Sequence, residues 1–320
     1  MNHQYAVPVA DASFEDKLLS SKSCGDQSLR SRFHAIWCGR GQAVVSLAGL
    51  MLFGALCISA QAQTLVPNWI QQSPATSPSE RYLQSMAYDA SHGKVVMFGG
   101  YGAGGFMGDT WLWNGNTWTQ ANPASSPAGR SAFAMTYDAA HGQVVLFGGR
   151  LSANSWTADT WLWNGTTWTQ ASPATSPGAR SNMSMVYDAT HGNVVLFGGL
   201  VDGFPANDTW IWNGTSWTQQ APAASPSTRS TYSMAYDAAH GQVVLFGGLD
   251  SGSNNLNDTW VWNGTTWTQE SPSASPSVRL GQSMDYDAAL GETIMFGRRN
   301  PSCAAKPCSY GASPAMAPRW

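Results

Sequence analysis

The chain has 320 residues, of which only 11% are charged, and its formal net charge is −3 at pH 7. No basic stripe is available to neutralise phosphates, so the composition excludes a typical nucleic-acid-binding protein. The length suffices to bury a large core, either as one domain built from repeats or as two ordinary domains. Sixteen tryptophans are the unusual feature of the composition.

Residues 1–62 differ from the rest of the chain and predict an export signal. Residues 43–60 form an uncharged apolar run that follows Arg32 and Arg40. The run ends in the small-residue sequence Ala60-Gln61-Ala62, which is typical of a signal-peptide cleavage site. We therefore expect cleavage after Ala62 and a secreted or periplasmic protein. The alternative is an uncleaved membrane anchor, because eighteen apolar residues just reach the length that spans a bilayer.

The cysteines lie outside the central part of the chain. Three of the five would leave with the signal, and Cys303 and Cys308 remain in residues 298–320. An exported location permits a disulfide between these two. Thiol chemistry or a cysteine-ligated metal inside residues 63–297 is excluded, because that segment contains no cysteine.

Residues 63–297 contain a repeat of about 50 residues. An arginine marks the start of each unit, followed by a pattern such as SMVYDATHGNVVLFGG and then by DTWxWNG…WTQ; the arginines are Arg81, Arg130, Arg180, Arg229 and Arg279. Four units are complete. Each reads as four short strands, of which the second is a continuous apolar run and is therefore predicted to be buried on both faces.

The motif DTWLWNGTTWTQ, residues 159–170, predicts a tryptophan-rich hairpin. An Asn-Gly pair is a strong signal for a two-residue type I′ turn, in which both central residues have positive φ. That turn pairs Trp163 with Thr166 and places Trp161 opposite Trp168. Strand alternation puts all three tryptophans on one face and Leu162 on the other. We therefore interpret the tryptophans as a structural cluster between sheets.

Four-stranded sheets that are apolar on both faces must be covered by copies of themselves, and a β-propeller does this radially. The diglycines Gly99-Gly100, Gly148-Gly149, Gly198-Gly199 and Gly247-Gly248, each followed by the paired tryptophans of DTWxW, resemble the kelch-repeat family, as in the central domain of galactose oxidase. The resemblance implies an all-β fold, a β-propeller of kelch-type four-stranded blades. Four blades are complete, and a fifth is partial.

Closure of the fifth blade is expected from the N-terminus. Trp69 stands twelve residues before Arg81, at the spacing that tryptophans of the fourth strand keep in each complete unit. A strand around Trp69 would therefore pair with the last repeat. Residues 298–320 form an irregular tail with no DTWxW motif, and our hypothesis is a truncated or frame-shifted form of a longer propeller. The alternative is a closed five-blade ring with a defective last blade.

Ligand binding is expected at the loops between the second and third strands, because all length variation among complete repeats falls there. The candidate residues are Tyr101, Phe106, Arg150, Trp156, Asp202, Phe204 and Asp250. Exposed aromatics beside small polar residues suit a glycan, and a protein ligand is equally open. The alternative is that the aromatic side chains pack beneath their own loops.

We predict a binding or protein-interaction module with no catalytic residue, cofactor or metal. The repeat arginines suggest either an anion site or, more simply, tethers to a loop or carboxylate. Histidines recur only in turns, at His92, His141, His191 and His240, one repeat apart. The runner-up is a carbohydrate-active kelch protein, either an oxidase like galactose oxidase or a sugar epimerase. The copper site that resemblance to galactose oxidase implies requires a cysteine, which the repeats lack.

Overall fold

The computed structural model describes residues 5–6 and 70–297, and in this part the protein is all-β, with antiparallel sheets and no helix. The predicted export signal, the cleavage site after Ala62, Trp69 and the tail at 298–320 lie outside the described residues. Within them, no helix has the length and apolarity needed to cross a membrane.

The described residues belong to two units. One consists of a two-stranded antiparallel pair, β1 (Tyr5–Ala6) and β2 (Ile70–Gln71). The other spans residues 72–297 and contains the repeats. Tyr5–Ala6 is a partner for Ile70–Gln71 that the sequence did not suggest, and closure of the fifth repeat by the segment around Trp69 stays a prediction.

Each complete repeat forms four antiparallel strands in sequential order. In the first repeat they are β3 (Ser85–Asp89), β4 (Lys94–Phe98), β7 (Thr110–Trp113) and β8 (Trp118–Ala121), with a small hairpin, β5 (Tyr101–Gly102) and β6 (Gly105–Phe106), between the second and third. The second repeat has β9 (Ala134–Asp138), β10 (Gln143–Phe147), β13 (Thr160–Trp163) and β14 (Trp168–Ala171), with β11 (Arg150–Ser152) and β12 (Ser155–Trp156) as the small hairpin.

The third and fourth repeats have longer central strands and are joined into one sheet. The third contains β15 (Arg180–Ser181), β16 (Ser184–Asp188), β17 (Asn193–Val201), β18 (Phe204–Trp212) and β19 (Trp217–Gln220). The fourth contains β20 (Arg229–Ser230), β21 (Ser233–Asp237), β22 (Gln242–Asp250), β23 (Asn255–Trp262) and β24 (Trp267–Glu270). Strand β20 pairs with both β18 and β22, which joins the two repeats. The fifth repeat is a hairpin of β25 (Ser283–Asp287) and β26 (Glu292–Phe296).

The structure confirms the predicted Asn-Gly hairpin, but the predicted strand register is wrong. Trp163 pairs with Trp168, across a loop of four residues rather than two. The Asn164 side chain accepts hydrogen bonds from the backbone N–H groups of Thr166 and Thr167, which closes the wider loop, and of the two central residues only Gly165 has positive φ. The face assignment is confirmed, because a shift of two residues leaves every side chain on its own side of the sheet.

Consecutive sheets pack face to face, and each of three buried apolar clusters combines two neighbouring repeats. In the first cluster, Val96 and Phe98 of one sheet lie against Met135, Trp163 and Trp168 of the next. We call the face that carries the phenylalanine the trailing face of its sheet, and the face that carries the tryptophan pair the leading face.

The same aromatic contact recurs at each of these interfaces. The phenylalanine meets the second tryptophan of the following sheet edge-on, with ring centroids 5.2–5.5 Å apart; the pairs are Phe98–Trp168, Phe147–Trp217 and Phe197–Trp267. Complete burial of one indole corresponds to about 4–6 kcal/mol of gross transfer free energy. The recurring tryptophans therefore hold neighbouring sheets together.

A chain of backbone hydrogen bonds connects all five repeats beside their first strands. The N–H of Ala132 donates to the carbonyl of Leu83, and the same bond joins Asn182 to Ala132, Thr231 to Asn182 and Gly281 to Thr231. All five residues have φ between 54° and 65°, a conformation that costs energy in residues other than glycine. The bond to the preceding repeat helps to hold this strained backbone.

Turn histidines also connect neighbouring repeats. His141 Nδ1 shares a hydrogen bond of 2.8 Å with the buried carboxylate of Asp138. The ring then lies against Gly214 in the Asn-Gly hairpin of the following repeat, where an added Cβ would overlap it. His92 and His191 take equivalent positions against Gly165 and Gly264. These glycines are therefore required by packing as well as by backbone conformation.

The substitution Gly214→Ala should destabilise the protein more than Gly115→Ala. Both glycines have φ of +93°, but a Cβ on Gly115 would meet nothing within 4 Å, whereas a Cβ on Gly214 would overlap the His141 ring. We expect a loss of about 1 kcal/mol for Gly115→Ala and about 2–3 kcal/mol for Gly214→Ala in urea unfolding. Adding His141→Ala to Gly214→Ala should remove the excess. Equal losses for the two glycine variants would contradict this account.

Candidate functional site

The variable loops lie side by side along one edge of the stacked sheets. They comprise residues 101–108, 150–158, 200–207 and 249–257. The returning arm of each loop accepts a hydrogen bond from the backbone N–H of the next repeat's arginine, or pairs with that residue; the pairs are Met107–Arg130, Thr157–Arg180, Ala206–Arg229 and Leu256–Arg279.

The segment at the start of the second, third and fourth repeats forms backbone hydrogen bonds with two successive variable loops. Ser131 exchanges two backbone hydrogen bonds with Arg150, at the start of the second loop, and Arg229 pairs with Asp250 at the start of the fourth. The backbone therefore links the four loops in chain order. A ligand that spans several repeats could contact all of them.

The connections between repeats adjoin the same edge. One serine in each connection donates a hydrogen bond to the carbonyl of the last loop residue; the pairs are Ser126–Gly108, Ser176–Ala158, Ser225–Asn207 and Ser275–Asn257. The donor–acceptor distances are 3.0–3.4 Å. Loops and connections therefore form one continuous surface.

The aromatic candidates of the first two repeats pack on their own hairpins. Tyr101 and Phe106 are cross-strand partners, and their rings meet edge-on at 4.9 Å between centroids. Tyr82 adds a tilted contact to Tyr101 at 5.6 Å. Trp156 is half-buried and has the Arg150 guanidinium 6.0 Å from its ring centroid. For these side chains the alternative from the sequence, packing within the loop, matches the structure.

The third and fourth loops present their candidates differently. Phe204 is 75% exposed, the highest value among the large hydrophobic side chains that the structure describes as exposed. Asp202 is exposed next to it and holds φ of +49° at the tip of the loop. Asp250 instead accepts hydrogen bonds from the backbone and side chain of Asn254, which hold the pKa of its carboxyl below the ordinary value.

The repeat arginines form ion pairs with carboxylates. This matches the simpler of the two interpretations of the sequence, a structural contact and not an anion-binding site. Arg130 binds Asp159 through two hydrogen bonds of 2.6 and 2.9 Å and also donates to the Gly148 carbonyl. Three further pairs repeat this geometry: Arg81–Asp109, Arg180–Asp208 and Arg229–Asp258. Each pair joins the start of a repeat to its third strand, just beyond the variable loop.

The role of the DTWxW aspartate was missed in the sequence. Besides its arginine, Asp208 accepts a hydrogen bond of 2.6 Å from the indole N–H of Trp210. The signal was present, because arginine and aspartate are 28 or 29 residues apart in each complete repeat. Nearly constant spacing across a loop of variable composition favours a contact between the two ends of the loop.

These carboxylates are held in the ionised form. Burial by itself would raise the pKa of Asp208, but the hydrogen bonds and charge of Arg180, with the Trp210 indole, outweigh it and lower the pKa below the ordinary value. The same balance lowers the pKa of Asp109, Asp159 and Asp258. The buried arginines of the repeats are therefore committed to holding the loop ends.

The histidine side chains of the described residues form pairs with carboxylates and not larger clusters. Within residues 70–297, no cluster of three or more histidine, cysteine, aspartate or glutamate side chains has the arrangement of a metal site. Each turn histidine instead shares a hydrogen bond with the aspartate three residues before it; the pairs are His92–Asp89, His141–Asp138, His191–Asp188 and His240–Asp237.

Comparison with known proteins does not assign the chain to a family. A scan against protein-family models gives no match, and no curated protein matches the sequence.

Asp208→Asn should destabilise the protein by about 2–3 kcal/mol near neutral pH, because it leaves buried Arg180 without a counter-charge. The lowered pKa in the folded state means that the contribution of Asp208 is present above about pH 4 and is lost as pH falls through the folded pKa. The variant should therefore lose less stability on acidification than the wild type. Chemical unfolding at several pH values measures both effects.

The matched control is Asp202→Asn, which alters an exposed carboxylate in the same repeat. We expect a change within about 0.5 kcal/mol at neutral pH. A loss for Asp208→Asn no larger than that of the control would refute a structural role for the pair.

Proposed function

We propose that the repeats form a kelch-type β-propeller that acts as an exported binding module, secreted or periplasmic, for a protein or glycan ligand. The constant face-to-face order of the sheets supports the propeller, since the same interface recurs between each pair of consecutive complete repeats. The backbone chain from Leu83 to Gly281 supports it further, because each first strand keeps the same contact with the one before.

The observation that carries the binding function is the arrangement of the four variable loops. They are linked side by side by the backbone around Arg130, Arg180 and Arg229. Sequence variation is thus concentrated on a surface whose support is constant, an arrangement typical of binding loops on a rigid scaffold. The opposite ends of the sheets carry nearly invariant turns, which serve packing between repeats.

The charged groups of the scaffold favour binding over catalysis. The arginines are paired with the DTWxW aspartates, and the turn histidines with their own aspartates. Acid–base chemistry requires a group free to exchange protons with a substrate. Groups committed to structural pairs are poorly suited to that role.

The third loop is the centre of the proposed site. Phe204 is a large exposed aromatic side chain, and Asp202, two residues before it in the same loop, is also exposed. An aromatic face stacks on the apolar face of a sugar ring or fills a pocket on a protein, and a nearby carboxylate accepts hydrogen bonds from hydroxyl or amide groups. Both ligand classes fit this pair.

A glycan array and a sugar-turnover assay on the purified protein test the class of function. Binding without turnover is the expected result. Turnover of a sugar would refute the binding-only proposal and favour the carbohydrate-active alternative. An absence of glycan binding would direct the search to protein ligands by cross-linking in the native extracytoplasmic fraction.

For an identified ligand, Phe204→Ala should lower affinity by about tenfold or more, as expected for an aromatic side chain at the centre of an interface. Thr215→Ala, in the Asn-Gly hairpin at the opposite ends of the strands, is the control and should leave affinity unchanged. Titration calorimetry measures both. If only the control variant lost affinity, the ligand would bind at the hairpin edge and not at the variable loops, which would contradict the proposal.

A further inference from the structure

Within the described residues, the first and last sheets each expose side chains of a face that is buried between the other repeats. Met86, on the leading face of the first sheet, is 53% exposed, whereas its equivalents in the next three repeats are 5–7% exposed; these are Met135, Met185 and Met234. Phe296, on the trailing face of the last sheet, is also 53% exposed. Its equivalents are at most 3% exposed; these are Phe98, Phe147, Phe197 and Phe246.

The two-stranded fifth sheet already contains the strands that a trailing face uses. In the first interface, the buried residues of the trailing face are Ala87, Val96 and Phe98, all from the first two strands. The third strand contributes only the partly buried Leu112, and the fourth only Ala121. A sheet made of β25 and β26 can therefore supply the buried centre of such an interface.

The polar contacts of the interface are also left open at the two ends. Within the described part of the chain, the Leu83 N–H has no acceptor and the Gly281 carbonyl has no donor, although every intermediate repeat makes both bonds. Gln282 reaches back to the Phe246 carbonyl of the preceding sheet at 2.8 Å. Gln84 occupies the same position in the first repeat, but within the described residues its side-chain nitrogen has no such carbonyl to donate to; the side-chain oxygens of Gln84 and Gln282 are both buried without a partner.

We propose that the leading face of the first sheet in one molecule packs on the trailing face of the fifth sheet in a second copy of the chain. The two faces are halves of an interface that this chain already forms between its own repeats. Among the described residues, neither Met86 nor Phe296 is covered by its counterpart in the same molecule, so we take the complementary half to come from a second copy. Such head-to-tail contact gives a ring of copies if it closes and an open series if it does not.

Three contacts define the interface between copies. Phe296 takes the place of Phe98 and meets the partner's Trp118, the half-buried equivalent of Trp168. The partner's Leu83 N–H donates to the Gly281 carbonyl and continues the backbone chain. The partner's Gln84 donates to the Phe296 carbonyl, as Gln282 does to Phe246.

Two complementary variants test the proposal. Met86→Asp blocks the leading face, and Phe296→Asp blocks the trailing face; both side chains are half exposed, so the fold should be retained, as near-UV circular dichroism would verify. Sedimentation should show concentration-dependent association of the wild type and monomers for each variant alone. A mixture of the two variants should form a complex of one copy of each, because one intact leading face and one intact trailing face remain.

Other outcomes overturn the proposal. A wild type that stays monomeric over a hundredfold range of concentration would refute self-association. Dimers of either variant alone would indicate contact between like faces. Gln219→Asp adds the same charge to an exposed fourth-strand position of an interior repeat and should associate as the wild type does.

A second variant acts in the opposite direction. Asp285 occupies the trailing-face position of Ala87 and Val186, where a carboxylate must lose water when the interface forms. Asp285→Ala should tighten association by about tenfold. In the wild type, peroxide oxidation of Met86 should slow as concentration rises. Unchanged association of Asp285→Ala, or oxidation of Met86 independent of concentration, would contradict the proposed geometry.

Discussion

The structure depends on one packing contact, in which a phenylalanine of one sheet meets a tryptophan of the next. A four-stranded sheet of about twenty residues cannot shield two apolar faces by itself, so it becomes stable only between neighbours. Phe147, for example, is buried because Trp217 of the following repeat covers it. Cooperativity between repeats therefore arises from the contact between sheets, and within the described residues a sheet at either end has one covering neighbour instead of two.

Three kinds of polar contact fix the relative orientation of the strands and loops, which the apolar contact alone does not determine. The backbone chain through Ala132 and Asn182 aligns the first strands, the His141 ring links a turn to the next hairpin, and the Arg180–Asp208 pair holds the two ends of a loop together. The backbone bonds and the Arg–Asp pair recur in every complete repeat, and the histidine contact joins each pair of consecutive complete repeats. The variable loops can therefore differ in sequence without a change in the position of their ends.

Much of the fold could be predicted from the sequence, and the candidate site could be predicted only in part. The strands around residues 184–188 and 194–199 and the faces of the tryptophans are confirmed, because alternation and apolar runs are local signals. The loop aromatics were harder, since exposure depends on neighbours that differ from loop to loop. Phe204 is exposed and Phe106 is packed against Tyr101, although both follow a diglycine at similar distance.

The sequence by itself determined the repeat period, the strands, the buried second strand and the structural role of tryptophan. Each of these follows from residue types at short spacing along the chain. Only the tertiary structure decided the hairpin register, the partner of each arginine and the exposure of the terminal faces. Asn164 hydrogen bonds widen the turn, and a partner 28 or 29 residues away is reached only after the strands have paired. Such features depend on contacts between segments, which the order of residues does not state.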